Sequence, residues 1–238
     1  MARGLTAAGH HVTGLATPAV LRRARRAGAI ADSAASPADI PGDADIVVLA
    51  APPAVNLRLL RAIARRPAAF VITDVGSVKG PICAEAKRLG IDRFVGGHPM
   101  AGTAESGFAA SDPRLFEGRP WILTPAPGRR PPPRVLRMIR DLGARPALTA
   151  PAEHDRVVAF LSHVPQIVAW AVADAAAQDA VAGRHLDLAG PAFRDLTRLA
   201  RSSPRLWRQI LSANRPEVLR AMAALQRALA RRAPRARS

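Results

Sequence analysis

Five short runs, apolar at nearly every position, recur along the first two-thirds of the chain: residues 11–15 (HVTGL), 46–50 (IVVLA), 70–73 (FVIT), 93–96 (RFVG) and 121–124 (WILT). A weaker sixth covers residues 146–149. Between them, residues 18–27, 54–65, 81–89 and 133–142 carry their apolar side chains at helical spacing. A strand covered on one face alternates apolar with polar residues, whereas one covered on both faces is apolar throughout. Strands of the second kind, separated by helices of about ten residues, predict a parallel sheet wrapped on both sides, the doubly wound α/β class.

The rest of the chain reads differently. From residue 152 onward there is no strand pattern, and Val157, Phe160, Leu161, Val164, Ile167, Val168 and Val172 fall at helical spacing. Val218, Leu219, Met222, Leu225 and Leu229 do the same. The stretch 157–177 is apolar nearly all round, which predicts burial in a bundle or a subunit interface, with a kink at Pro165. Length agrees with this division: 238 residues suit one large domain or two small ones on a prior of ~150 per domain. The predicted organisation is an α/β domain over 1–150 and a helical domain over 151–238.

The beginning departs from the usual pattern. A doubly wound domain that holds a dinucleotide opens with a strand, then G-x-G-x-x-G, then a helix. Here residues 1–8 read as the second half of that helix, Gly9 as its stop, and 11–15 as the second strand. The first strand and the glycine fingerprint are expected to be lacking, leaving the domain N-terminally incomplete and the sheet without its central strand.

Charge and cysteine content narrow the classes further. Lys+Arg is 35 against Asp+Glu 18, a net charge of +17. Only Lys79 and Lys87 are lysines, and the arginines are spread over residues 22–26, 61–66, 129–140 and 231–237 rather than gathered in one patch. With no zinc-finger spacing, no paired RNA-binding aromatics and no tyrosine, nucleic acid is not an expected partner. The positive potential instead favours an anionic small molecule. The single cysteine, Cys83, rules out an intramolecular disulfide framework and multi-thiolate zinc, and no metal site is expected. No uncharged apolar run reaches the ~18 residues of a membrane span, and the start lacks a signal-peptide core. A cytoplasmic setting without membrane contact is the expectation.

Four stretches place polar or permissive residues just beyond apolar runs, where ligands meet open α/β sheets. Ala50-Ala51-Pro52-Pro53 makes a tight loop against which a cofactor can lie, or an ordinary turn. In Thr73-Asp74-Val75-Gly76-Ser77-Val78-Lys79, Gly76 permits close backbone approach, Ser77 offers a hydroxyl and Lys79 a charge. In Gly96-Gly97-His98-Pro99 the histidine sits in a glycine-rich stretch, read as a loop, where titration near neutrality suits proton abstraction. In the helical part, His154-Asp155 stands out, and Ser162, His163 and Gln166 are either hydrogen-bonded core or pocket lining. Arg194 and Arg198, at i and i+4, either clamp carboxylates or belong to a solvated face with Asp195.

Together the segments ITDVGSVKG, GGHPMAGTAESG, LFEGRPWILTP, AEHD, LSHVPQ and FRDLTRLA resemble the prephenate/arogenate dehydrogenases of tyrosine biosynthesis, in family order and spacing. The resemblance runs from about residue 7 to residue 214. It implies a Rossmann-type oxidoreductase that uses NAD or NADP for oxidative decarboxylation of prephenate to 4-hydroxyphenylpyruvate, and that dimerises through its helical domain. By the same resemblance His98 and Ser77 are catalytic: His98 takes the proton of the ring hydroxyl and Ser77 helps hold both. Arg198, Arg194, His154, Thr103 and Gln166 are implied to bind substrate. Ala51, Pro52, Pro53, Asp74, Gly76 and Ser77 are implied to bind cofactor.

The chain departs from the family pattern at Gln166, where many members carry histidine, and at Ala104, where many carry glutamate; here Glu105 comes one place later. After the second strand it has Ala16-Thr17 in place of an acid for the ribose of NAD, which leaves NAD and NADP both open. The alternatives are an arogenate dehydrogenase, or a truncated, non-catalytic dimeric relic that no longer binds dinucleotide.

Overall fold

The computed structural model describes residues 1–67, 69–102, 108 and 111–232. It divides into two units, Met1–His154 and Asp155–Ser238.

In the first unit, β1 (Thr13–Gly14) pairs in parallel with β2 (Asp32–Ser33). A five-stranded sheet runs β3 (Ile46–Leu49), β4 (Val71–Asp74), β5 (Phe94–Pro99), β6 (Pro120–Thr124) and β7 (Arg145–Leu148). Side chains alternate between two cores, which is why these strands read as continuously apolar. Ile46, Val48, Val71 and Val95 face one cluster, with Leu5 of α1 (Ala2–Ala7) and Val135, Met138 and Ile139 of α5 (Pro133–Asp141). Val47, Leu49, Ile72 and Phe94 face the other, with Leu60 and Ile63 of α3 (Pro53–Ala64) and Ile82 and Ala86 of α4 (Gly80–Arg88). Helices thus cover both faces of an α/β sheet, as expected.

Two expectations need correction. The sheet is parallel from β3 to β5, but β6 runs antiparallel to β5 and β7 parallel to β6. A parallel pairing needs a crossover on one face, whereas residues 112–119 fold into successive turns, with Leu115 N–H on Asp112 O and Glu117 N–H on Arg114 O. Secondly, the residues expected to form one sheet form two, β1–β2 and β3–β7, with no ladder between them among the described residues. In a doubly wound order the first strand lies between these two edges. Gly9, read as a helix stop, has φ +86°, the left-handed conformation that glycine adopts without strain.

In the second unit the apolar stretch is not one kinked helix. α6 (Pro151–Val158), which crosses the division between the units, gives way to a π-helical turn (Ala159–His163) and then to α7 (Val164–Gln178). Val164 N–H reaches back to Ala159 O, so the chain passes Pro165 by widening one turn rather than breaking. α8 (Pro191–Thr197), a 3-10 turn (Arg198–Arg201), α9 (Pro204–Ala213) and α10 (Arg215–Arg232) follow. The unit's own core is small: Ala159, Val164 and Ala221, with Val168, Met222 and Leu225 against it. By length and composition Pro151–Gln178 could cross a membrane, and only 33% of its most apolar window is buried. Phe160 and Leu161 stand 43% and 71% exposed.

α3 and α4 are tied by Glu85, which accepts from Arg61 at 2.6 Å and from Arg88 at 2.7 and 2.9 Å. Hydrogen bonds from Arg88, then Arg61, lower its carboxyl from 4.5 to about 2. A depressed carboxylate stabilises the fold above its unfolded value and loses that contribution as pH falls toward the folded value. Glu85→Gln is expected to flatten the loss of thermal stability between pH 4.5 and about 2, checked by melting curves across that range.

Candidate active site

The carboxyl end of β4 is built around Asp74, which is 1% exposed. Its Oδ2 accepts from Gly76 N–H at 2.9 Å and from the ammonium of Lys79, which is itself fully buried. Its Oδ1 accepts from Gly97 N–H at 3.0 Å, and Lys79 also donates to Gly97 O at 2.8 Å. One ion pair therefore grips both backbone groups of Gly97, the residue before His98. Asp74, implied by resemblance to meet the cofactor, is closed to solvent and both its oxygens accept hydrogen bonds, so it positions the strand ends.

His98 is not in a loop. Gly96, Gly97 and His98 lie inside β5, opposite Thr124, Leu123 and Ile122 of β6. The glycines fit a strand here because neighbours occupy the side-chain space. A Cβ on Gly96 collides with Thr124 Oγ1 and lies 2.9 Å from Cys83 Sγ, and one on Gly97 lies 2.5 Å from Asp74 O. Glycine at these two positions is what lets β5 pack against β4 and β6.

The imidazole of His98 is 7% exposed, and its Nδ1 lies 2.8 Å from Nε2 of His154, which is 0% exposed. The rings meet edge-on, 5.1 Å between centroids at 67°. His154, implied by resemblance to touch substrate, is carried by α6, buried and bonded to His98. Thr103, like Ala104 and Glu105, lies outside the described residues.

The loop after β3 is held by a residue the sequence reading passed over. Asn56, 2% exposed, accepts from Ala51 N–H at 2.9 Å and donates to Leu49 O at 3.3 Å. A lone amide in the apolar stretch 54–65 was the available signal. Pro53 opens α3, with Ala51 and Pro52 just ahead of it. Leu49 and Asp74 are register partners, so the ledge 51–53 and the half-buried Gly76 and Ser77 extend from adjacent strand ends.

In the helical unit Arg194 lies on α8 and Arg198 opens the 3-10 turn, so the expected helical face through Arg198 ends at Thr197; both arginines are exposed. Gln166 is fully buried. It donates to Leu199 O at 2.8 Å, and one helical turn later Trp170 Nε1 donates to Ala200 O at 3.1 Å. These two bonds hold the turn that bears Arg198. Asn214, also missed, donates to Asp155 O at 2.7 Å and to His163 Nδ1 at 3.2 Å, and Trp207 meets His163 edge-on. Among the described residues no cluster suits a metal ion.

An α/β sheet with ligand-binding loops at its carboxyl edge, followed by a helical unit, defines a two-part protein of the nucleotide-binding class. Residues 1–146 match the family model of the prephenate dehydrogenase nucleotide-binding domain, and residues 150–233 match that of its dimerization domain. The chain belongs to the prephenate dehydrogenase family. A prephenate dehydrogenase of Lactococcus lactis is 36% identical over 185 residues, covering 74% of this chain and 50% of that protein. The crystal structure of prephenate dehydrogenase from A. aeolicus in complex with hydroxyphenyl propionate and NAD+ superposes with TM-score 0.83 at 31% identity, covering 97% of this chain and 83% of that one. Synechocystis arogenate dehydrogenase gives TM-score 0.77 at 28% identity, covering 97% and 84%. The chain spans about half the length of the curated relatives it matches.

Removing the cation from the Asp74 pair leaves a buried carboxylate without compensation. Lys79→Met is expected to lower the unfolding free energy by about 3–5 kcal/mol, read by urea denaturation. Adding Asp74→Asn should recover part of that loss, because the uncompensated charge is gone.

Proposed function

We propose that the chain is an NAD(P)-dependent dehydrogenase acting on a cyclohexadienyl carboxylate, prephenate or its amino counterpart arogenate, with release of CO2. The observation that carries this reading is His98: a buried imidazole at the carboxyl side of a parallel strand, its backbone clamped through Gly97 and its ring bonded to His154. Such a group is suited to take one proton from one fixed direction.

The charge balance at the sheet edge supports an anionic dinucleotide there. Asp74, at the end of β4, is neutralised by Lys79 and buried, so the ledge of Ala51, Pro52 and Pro53 and the turn of Gly76 and Ser77 lie beside a compensated carboxylate. Those five residues are the proposed holders of the nicotinamide portion. A bound nicotinamide supplies the hydride acceptor. The chain's own part is proton handling and orientation. His98 accepts the proton of the ring hydroxyl as the C–H bond on the same carbon gives up its hydride. Ser77 hydrogen-bonds that hydroxyl. Loss of the ring carboxylate as CO2 then restores aromaticity. Arg198 pairs with a substrate carboxylate, with Arg194 in support and Thr103 in the same role by resemblance.

The half-covered helical run, with Val157, Phe160 and Leu161 exposed on one face, supports a homodimer through the helical domain. The reading carries with it a cytoplasmic biosynthetic role, with neither nucleic acid nor membrane as partner.

Purified protein given prephenate or arogenate with NAD or NADP is expected to form the reduced cofactor. His98→Asn should lower kcat by about 10²–10⁴-fold with dinucleotide affinity unchanged. Absence of turnover with every pairing, together with no calorimetric binding of either dinucleotide, would overturn the reading in favour of a non-catalytic relic. Leu161→Glu is expected to shift the protein from dimer to monomer in analytical ultracentrifugation.

A further inference from the structure

An N···N contact of 2.8 Å between two buried imidazoles holds a single hydrogen, because two N–H groups cannot face each other at that distance. That leaves two neutral arrangements of the pair. In one, His154 Nε2–H donates to His98 Nδ1. His98 then carries its own proton on Nε2 and has no lone pair with which to accept another. In the other, His98 Nδ1–H donates to His154 Nε2, and the lone pair of His98 rests on Nε2. Only the second arrangement gives a proton acceptor at His98.

We propose that His154 is a positioning residue that fixes His98 in the Nδ1–H tautomer and holds the imidazolium formed when His98 takes the substrate proton. This rests on the assignment of His98 as the proton acceptor. The backbone of His98 is already immobile, since Gly97 is bonded on both sides and His98 is paired with Ile122. The remaining freedom is rotation of the ring about its side-chain bonds. His154 removes it, because α6 carries its imidazole to the Nδ1 edge and buries it there completely. The arrangement follows the logic of a base oriented by a third group, in which the orienting acceptor sets the tautomer and strengthens its hydrogen bond once the base is charged. Here the acceptor is a neutral imidazole. It needs no counter-cation of its own in a closed site, where a carboxylate would.

The register of roles separates this proposal from the expectation that His154 binds substrate. A substrate contact, when removed, raises KM. A tautomer-fixing residue, when removed, lowers kcat and leaves KM and cofactor affinity near their starting values. The proposal also predicts which replacement works: the amide oxygen of glutamine reaches the position of imidazole Nε2 and accepts from His98 Nδ1–H, while leucine fills the space without accepting.

Three measurements decide it. Steady-state kinetics of His154→Leu should show kcat lowered about 100-fold or more with KM within about threefold, and His154→Gln should return kcat to within about tenfold of the starting protein. Circular dichroism and dinucleotide titration of each variant check that the fold is retained. Long-range ¹H–¹⁵N correlation spectra of the unaltered protein, with the His98 signals assigned by their loss in His98→Asn, should show the proton on Nδ1. The spectrum needs no turnover and no folded His154→Leu, so it still decides the tautomer if the dehydrogenase reading fails or His154→Leu does not fold. An Nε2–H tautomer at His98 overturns it. So does unchanged kcat in His154→Leu, equal loss in the leucine and glutamine variants, or a rise in KM alone.

Discussion

The ion pair of Asp74 and Lys79 governs the geometry around it because both partners are sealed from water and every bond they make is short-range and directional. Buried charges of this kind gain little net stability over an apolar pair, yet breaking one is costly, so the surrounding backbone is tightly constrained to keep it satisfied. Here the constraint fastens the end of β4 to the middle of β5. Gly76 and Gly97 donate to the carboxylate, Gly97 O takes the ammonium, and the crowding around Gly96 and Gly97 leaves no room for a side chain. His98 inherits a fixed place in the strand from these contacts. The same pairing cancels the charge of the carboxylate at the end of β4.

The helical unit is organised on a different principle. Its long apolar run cannot satisfy itself within one unit: its few core residues lie on one side and Phe160 and Leu161 remain exposed on another. Polar groups along the same run are matched locally instead. Gln166 and Trp170 bond the carbonyls of the turn at Arg198–Arg201, and Asn214 bonds His163 and the carbonyl of Asp155. The widened turn before Pro165 lets these side chains keep their positions where a simple proline kink would redirect the helix.

Much of the fold could be read in advance because its signals are local. Apolar runs on a two-residue pleat, helices at 3.6-residue spacing and the stop at Gly9 depend on near neighbours and hold in the structure. The positions that misled are those whose meaning comes from distant residues. Gly96 and Gly97 looked like a loop because nothing in the neighbouring sequence announces Thr124, Cys83 and Asp74 pressed against them. Nor does the sequence near Asp74 point to its partner in space, Gly97, 23 residues away. Asn56, Trp170 and Asn214 were passed over for the same reason: each serves a carbonyl or amide that sequence spacing does not point to.

By itself the sequence determined the class of fold and its order, an α/β part followed by a helical part, since residue type and periodicity encode these directly. The tertiary structure alone decided that β6 runs against β5, that His98 sits within a strand, and that His154 faces another imidazole 56 residues away. Strand direction and hydrogen-bond partnership are set by which surfaces close on each other. That is a property of packing in three dimensions, with no period along the chain to reveal it.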